Sequence, residues 1–324
     1  MIYQKIGKYI LASVVFIALL GMVFFGMQWF SQSVLDMLIR HDGFFQGSLQ
    51  PSVDGATAYI QQAPDNPKML PYRNWQVEEL SLEAKSAISV EIGSNNPNKV
   101  LFKKNEQQVL PIASLTKLMT ALVVLERYDL DQKVAISFEA MAQEGEQGGL
   151  ELGQIFSVKD LLHISLMESS NRAAYALSEV VGNAKFIDLM NEDVQKLGLT
   201  NTHFEDATGL DSASYSTVKD IVRLSEYLFE KYPLFTEIIS LKEYPLYMPD
   251  GTLHHVLINT NKLLGYNGII GGKTGFTDSA KGCFLVIQNS RQQGNHIITV
   301  VLGAQDRFLE MQKIMYWVDS AYQW

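Results

Sequence analysis

Three short groups of residues in this chain could together carry acyl-transfer chemistry. Ser114 and Lys117 stand three apart at the head of an apolar stretch, so on a helix their side chains share a face. A serine hydroxyl is a poor nucleophile until a base removes its proton, and a neutral lysine can be that base. Free lysine titrates near about 10.4, so burial or a neighbouring cation must lower it, and Lys273 is the candidate cation. A helix start also offers backbone N–H groups to a developing oxyanion. Ser169 and Asn171 supply a hydroxyl that can relay a proton and an amide that can hold a substrate backbone. Lys273, Thr274 and Gly275 read as the strand edge of a groove: the glycine lets a ligand approach the backbone, and the other two present donors to a carboxylate.

Each group alone is weak. A serine near a helix start is commonly a cap, a lysine one turn on is commonly solvated, and Ser169 to Asn171 could simply cap a helix starting near Asn171. The chain holds a second S-x-x-K, Ser216 to Lys219, and a second S-x-N, Ser94 to Asn96, both readable as turn or cap residues. Ser216 to Asp220 suits a helix N-cap with an acid in the first turn. The three groups in one order and context outweigh those readings. Competing signatures fail: Gly271-Gly272-Lys273-Thr274 lacks the leading glycine of a phosphate loop, because Asn267 stands there. There is no G-x-S-x-G elbow and no H-E-x-x-H pair, and no metal or cofactor is expected. His254 and His255 are adjacent on a strand-like run, where neighbours point to opposite faces, so both read as structural or surface residues.

Strand-like alternation over Ser86–Ile92 and Val100–Phe102, split by the turn Asn95–Asn98, predicts a hairpin. Pro111 precedes a helix carrying Leu115, Leu118, Met119, Leu122 and Leu125. From there to about Tyr232 the chain reads as mainly helical, with segments Val158–Met167, Ser170–Val181 and Lys185–Leu197. Strands return at Ile269–Phe276, Phe284–Gln288 and His296–Leu302, and a helix from Asp306 to about Tyr322 closes the chain. The expected fold is therefore α/β: one antiparallel five-stranded sheet assembled from both ends of the chain, flanked by helices, beside an all-α lobe. The active-site groove is expected where lobe and sheet meet.

The first residues bear on location. Tyr9 to Phe30 is almost wholly apolar and uncharged, long enough to cross a bilayer, with Lys5 and Lys8 ahead of it. It reads as an uncleaved anchor rather than a signal peptide, whose apolar core is shorter. The expected organisation is a cytoplasmic stub and transmembrane anchor over residues 1–35, an extracytoplasmic linker with four prolines over 36–79, and a catalytic domain over 80–324. The net charge of −9 leaves no basic footprint for nucleic acid. The single cysteine, Cys283, falls in an apolar run and reads as a buried strand residue.

At this point the chain resembles the D-alanyl-D-alanine carboxypeptidases among the low-molecular-mass penicillin-binding proteins, which share a serine β-lactamase-like fold. Pro111-Ile112-Ala113-Ser114-Leu115-Thr116-Lys117-Leu118-Met119-Thr120 is similar to the family's first block, Ser169-Ser170-Asn171-Arg172-Ala173-Ala174 to its second, and Gly272-Lys273-Thr274-Gly275-Phe276-Thr277 to its third. The resemblance implies that Ser114 attacks the bond between the two terminal D-alanines of a peptidoglycan stem peptide, with Lys117 as base and Ser169 passing the proton onward. It implies backbone N–H groups of Ser114 and Phe276 as the oxyanion hole, Asn171, Lys273 and Thr274 as substrate ligands, and Arg307, in the loop after the last strand, as the carboxylate grip. It also implies β-lactams as covalent inhibitors. Two departures stand out: Thr208 replaces a histidine often found before Gly209-Leu210, and Lys281 separates Ala280 from Gly282. A DD-endopeptidase that cuts cross-links fits the same motifs, whereas a class A β-lactamase would need an E-x-x-L-N segment that is missing.

Overall fold

β-branched and aliphatic residues at alternate positions make the central sheet a two-faced layer. The computed structural model describes residues 71–324 apart from 94–96 and 146. Its strands run, in chain order, β1 (Tyr72–Arg73), β2 (Ser86–Ile92), β3 (Lys99–Lys104), β4 (Leu110–Pro111), β5 (Lys133–Ala135), β6 (Ile155–Ser157) and β7 (Tyr215–Ser216). They continue as β8 (Glu243–Tyr247), β9 (Leu253–Ile258), β10 (Ile269–Thr277), β11 (Lys281–Asn289), β12 (His296–Ala304) and β13 (Tyr322–Gln323). The helices are α1 (Lys117–Arg127), α2 (Phe138–Met141), α3 (Val158–Met167), α4 (Asn171–Glu179), α5 (Asn183–Leu197), α6 (Val218–Lys231), α7 (Pro233–Ser240) and α8 (Arg307–Ala321), with a 3₁₀ turn at Ala113–Thr116.

The five-stranded sheet has the order β10-β11-β12-β2-β3, every neighbouring pair antiparallel, so the strands do come from both ends of the chain as expected. Period-two alternation sorts its side chains. Ile88, Val90, Cys283, Leu285, Ile298 and Val300 pack toward the helical lobe. Ala87, Phe284, Val286, Ile297 and Val301 pack against Met311, Ile314 and Met315 of α8 on the other face. Ser89 and Thr299 sit directly opposite in that sheet and share a hydroxyl–hydroxyl bond of 2.9 Å, which satisfies two buried polar groups. Cys283 is buried in β11 as read, and burial pushes its thiol up to about 12, which leaves it inert.

Several elements depart from expectation. Tyr72–Arg73 pairs with Tyr322–Gln323, so residues read as linker already join the C-terminal edge. The two-stranded pairs β5–β6 and β8–β9 fall within the span read as helical or unassigned. The register shifts by one residue between Leu246↔His255 and Tyr247↔Leu253, so His254 is an extra, bulged residue of β9. That bulge overrides the expected opposite-face placement: the His254 and His255 rings meet, Nδ1 to Nδ1, at 2.6 Å. Ser216 is not the cap of α6; Thr217 is, its hydroxyl accepting from the Asp220 N–H, while Ser216 bonds Thr202. Among the described residues no helix is long and apolar enough to cross a membrane; the span read at Tyr9–Phe30 lies outside them.

Candidate active site

Lys117 opens α1, a helix buried along Lys117–Val124 because it runs through the lobe–sheet core. Its side chain is therefore fully buried, and Nζ finds three partners: Ser114 Oγ at 3.1 Å, Asn171 Oδ1 at 2.6 Å and the Thr208 carbonyl at 2.6 Å. A neutral amine has two N–H donors and one lone pair. Asn171 and Thr208 can take the two donors, which leaves the lone pair for the Ser114 hydroxyl proton. Burial lowers Lys117 to about 7, with Asp206 pulling weakly the other way. Of the two causes expected, burial and a neighbouring cation, burial is thus the one that lowers it.

Local backbone geometry puts Ser114 at the groove. Ala113 has a left-handed φ of 49°, uncommon for a residue with a side chain, and the 3₁₀ turn that follows presents Ser114 beside β10. Gly275 faces this turn so closely that a Cβ there would lie 3.0 Å from the Ser114 nitrogen. On the other side, Gly209 has φ 85° and an added Cβ would stand 2.0 Å from the Ala113 carbonyl oxygen. Asp206 builds that loop: its carboxylate accepts from the N–H groups of Thr208, Gly209 and Leu210 and from the Ser214 hydroxyl. The loop in turn aims the Thr208 carbonyl at Lys117.

Ser169 and Lys273 form the second half. Ser169, between α3 and α4, has a left-handed φ of 62°, and its Oγ accepts from Lys273 Nζ at 2.7 Å. Ser170, not Ser169, caps α4 through the Ala173 N–H, which frees Ser169 to face the groove. Asn171 follows as the first residue of that helix, and its Nδ2 donates to the Glu144 carbonyl at 2.8 Å, which orients its Oδ1 toward Lys117. Lys273 is 1% exposed and also donates to the Thr274 carbonyl at 2.9 Å. Burial first, then Lys117 and Arg307, hold its ammonium well below the ordinary lysine range. Thr274 donates its hydroxyl to Thr260 Oγ1 at 2.7 Å.

Arg307 is the first residue of α8, capped by Asp306, rather than part of a loop. Its Nη1 donates to the Gly275 carbonyl at 3.2 Å, and its buried Nε has no protein partner. A Cβ on Gly282 would come within 3.0 Å of the Arg307 Cβ, so that glycine makes room for the arginine. The added Lys281 takes φ 57°, the left-handed position of the β10–β11 turn, and leaves the pairing of Phe276 with Gly282 in register. Phe276 itself is 56% exposed.

The nine residues singled out from the sequence thus fall on the Ala113–Thr116 turn and the start of α1, the α3–α4 junction, β10 and the start of α8, with Ser114, Lys117 and Asn171 joined in one set of contacts, Ser169 and Lys273 in a second, and Gly275 and Arg307 in a third. Reading by motif missed Asp206, the Thr208 carbonyl, Glu144 and Thr260. Asp206-Ala207-Thr208-Gly209 does carry the side-chain-to-backbone turn signature of an aspartate two or three residues ahead of a glycine. Among the described residues no cluster of histidine, cysteine and carboxylate side chains could hold a metal ion.

The comparisons agree with this geometry. The sequence profile of the D-alanyl-D-alanine carboxypeptidase family matches residues 73–306. The carboxypeptidase DacF of Bacillus subtilis is 34% identical over 262 residues, covering 76% of this chain and 65% of that protein. A D-alanyl-D-alanine endopeptidase of Pseudomonas aeruginosa is 32% identical, with 71% of this chain and 76% of that protein covered. The crystal structure of a Streptomyces DD-transpeptidase superposes with a TM-score of 0.68 at 29% identity, covering 75% of this chain and 100% of that one. The chain therefore belongs to the D-alanyl-D-alanine carboxypeptidase family, serine DD-peptidases with a penicillin-binding-protein-like α/β fold.

Proposed function

We propose that the chain is a membrane-anchored serine D-Ala-D-Ala carboxypeptidase of peptidoglycan stem peptides, working through an acyl-enzyme on Ser114 that β-lactams also form. The carrying observation is the fully buried Lys117 amine, lowered to about 7 and bonded to the Ser114 hydroxyl. Neutral Lys117 takes the Ser114 proton as Oγ attacks the carbonyl of the penultimate D-alanine. The N–H groups of Ser114 and Phe276 stabilise the oxyanion. As the C–N bond breaks, Ser169 Oγ hands its proton to the leaving amine and takes in turn the proton that Lys117 gained, which leaves Lys117 neutral again, while Lys273, bonded to Ser169 at 2.7 Å, holds the hydroxyl in place. Water then attacks the ester, with Lys117 again as base, and releases the shortened peptide.

Lys273, Thr274 and Arg307 grip the terminal carboxylate, while Asn171 and Gly275 line the path of the peptide. An arriving carboxylate offsets what burial does to Lys273, because an opposite charge nearby favours the ammonium. The same groups suit the carboxylate of a β-lactam. The apolar run Tyr9–Phe30 behind Lys5 and Lys8 supports an N-terminal anchor with the catalytic domain outside the cytoplasm.

The test is D-alanine release from a stem pentapeptide by the purified protein. Release that is lost in Ser114→Ala supports the reading; release that survives the substitution refutes it. A DD-endopeptidase reading stands second, favoured by the similarity to a protein of that name.

A further inference from the structure

Thr260 reaches the site from the loop after β9, which no motif covers. It is pinned between two buried asparagines, Asn259 and Asn261. Asn259 Oδ1 accepts from the Asn261 N–H at 2.9 Å, and its Nδ2 donates to the Leu241 carbonyl at 2.9 Å. Asn261 Oδ1 accepts from the Leu263 N–H at 3.0 Å. The Thr260 N–H donates to the Met167 carbonyl at 2.9 Å, and the Ile258 N–H to Glu168 Oε1 at 3.1 Å. These bonds tie the segment to the end of α3, just ahead of Ser169. On its other side the segment runs along β10. A Cβ on Gly272 would stand 2.9 Å from Asn261 Nδ2. Two residues on, on the same face of that strand, the Thr274 hydroxyl bonds Thr260 at 2.7 Å.

That bond engages the only side-chain proton Thr274 has. Thr274 is 3% exposed, and its hydroxyl donates to Thr260 Oγ1. A carboxylate only accepts, so Thr274 cannot give the same proton to a substrate carboxylate while the bond keeps this sense. The two oxygens can exchange roles. Thr260 is half-buried and lines an open cavity of about 340 Å³, where solvent can take its proton while no substrate is bound. Turning the Thr260 hydroxyl toward Thr274 gives up only that solvent bond. Thr274 then accepts from Thr260 and donates to the carboxylate, and each bond in such a chain polarises the next.

We infer that Thr260 is a positioning residue for carboxylate recognition: its hydroxyl accepts from Thr274 in the free enzyme and donates to Thr274 when a terminal carboxylate is bound. The inference rests on the reading that Thr274 grips the substrate carboxylate, and Thr260 acts through Thr274 rather than on the substrate. No covalent bond to carbon changes; two hydroxyl protons turn. Thr260→Val keeps the volume but can neither accept nor donate, so Thr274 loses the partner that sets its direction. Thr260→Ser keeps the hydroxyl and loses only the methyl group.

The test follows D-alanine release from a linear pentapeptide with a free C-terminus, by the full-length protein in detergent. Thr260→Val should raise KM by about tenfold while kcat changes by less than about twofold, because the contact weakened is one to a charged group. Thr260→Ala should show the same loss, and Thr260→Ser should keep KM within about twofold of the unsubstituted protein. In a Thr274→Val background, Thr260→Val should add less than about twofold, since its effect passes through Thr274. Circular dichroism reports folding in each variant.

An unchanged KM in Thr260→Val, or an equal loss in Thr260→Val and Thr260→Ser, would overturn the inference and leave the serine mechanism standing. So would a Thr260→Val effect undiminished in the Thr274→Val background. Release that survives Ser114→Ala would overturn the serine mechanism and the inference with it.

Discussion

If neutral Lys117 is the base, the rate of acylation must follow its titration. The perturbation is pH, and the expected midpoint is about 7, against 10.5 for an unperturbed lysine. The sign follows from burial. A base whose folded value is depressed is neutral, and hence active, above that value, so the rate climbs as pH rises through about 7 and levels off beyond it. At pH 7 about half of the Lys117 side chains would be neutral, against about one in three thousand for an unperturbed lysine. That difference is equivalent to roughly 4 kcal/mol in the population of the reactive form. The assay is the second-order rate of acylation by a fluorescent penicillin, measured from about pH 5.5 to about pH 9. Asp206→Asn removes the one charge that raises Lys117, so the rising limb should move to lower pH in that variant. A rate that is flat across the range, or that rises only near pH 10, would refute Lys117 as a buried neutral base.

Arg307→Ala should raise KM for a peptide ending in a free carboxylate more than for the corresponding amide, by a contact worth roughly 1.5–3 kcal/mol; equal loss for acid and amide would remove Arg307 from that role. Gly209→Ala should abolish acylation, since its Cβ would stand 2.0 Å from the Ala113 carbonyl and φ 85° disfavours any side chain; penicillin labelling of purified, folded variant checks this. Thr217→Ala should cost about 1 kcal/mol in chemical denaturation through loss of the α6 cap, while Ser216→Ala should keep full acylation although it sits in an S-x-x-K sequence.

Much of the site was legible because its chemistry is carried by short spacings. Ser114–Lys117, Ser169–Asn171 and Lys273–Gly275 could be placed on helix start, helix junction and strand without long-range information. The sheet was legible for a similar reason: β2, β11 and β12 are rich in valine and isoleucine with both faces buried. What escaped depended on tertiary contacts. β5 and β6 have three residues each, too few for a period to register. Leu253–Ile258 loses its alternation to the bulge at His254, and with it the meeting of the two imidazoles. Asp206 acts only through the backbone it ties down, and Thr208 only through a carbonyl, which no side-chain pattern reveals. Burial and a neighbouring cation both stood open as the cause of a low Lys117 value, because burial of α1 is a property of the packed lobe that no motif reveals; burial is the cause.

The most direct test of the central claim is the position of the covalent penicillin adduct, located by mass spectrometry of peptides from the labelled protein. The account predicts a single modified peptide containing Ser114, absent in Ser114→Ala and formed only slowly in Lys117→Ala. An adduct on a peptide lacking Ser114, or undiminished labelling in Ser114→Ala, would contradict it.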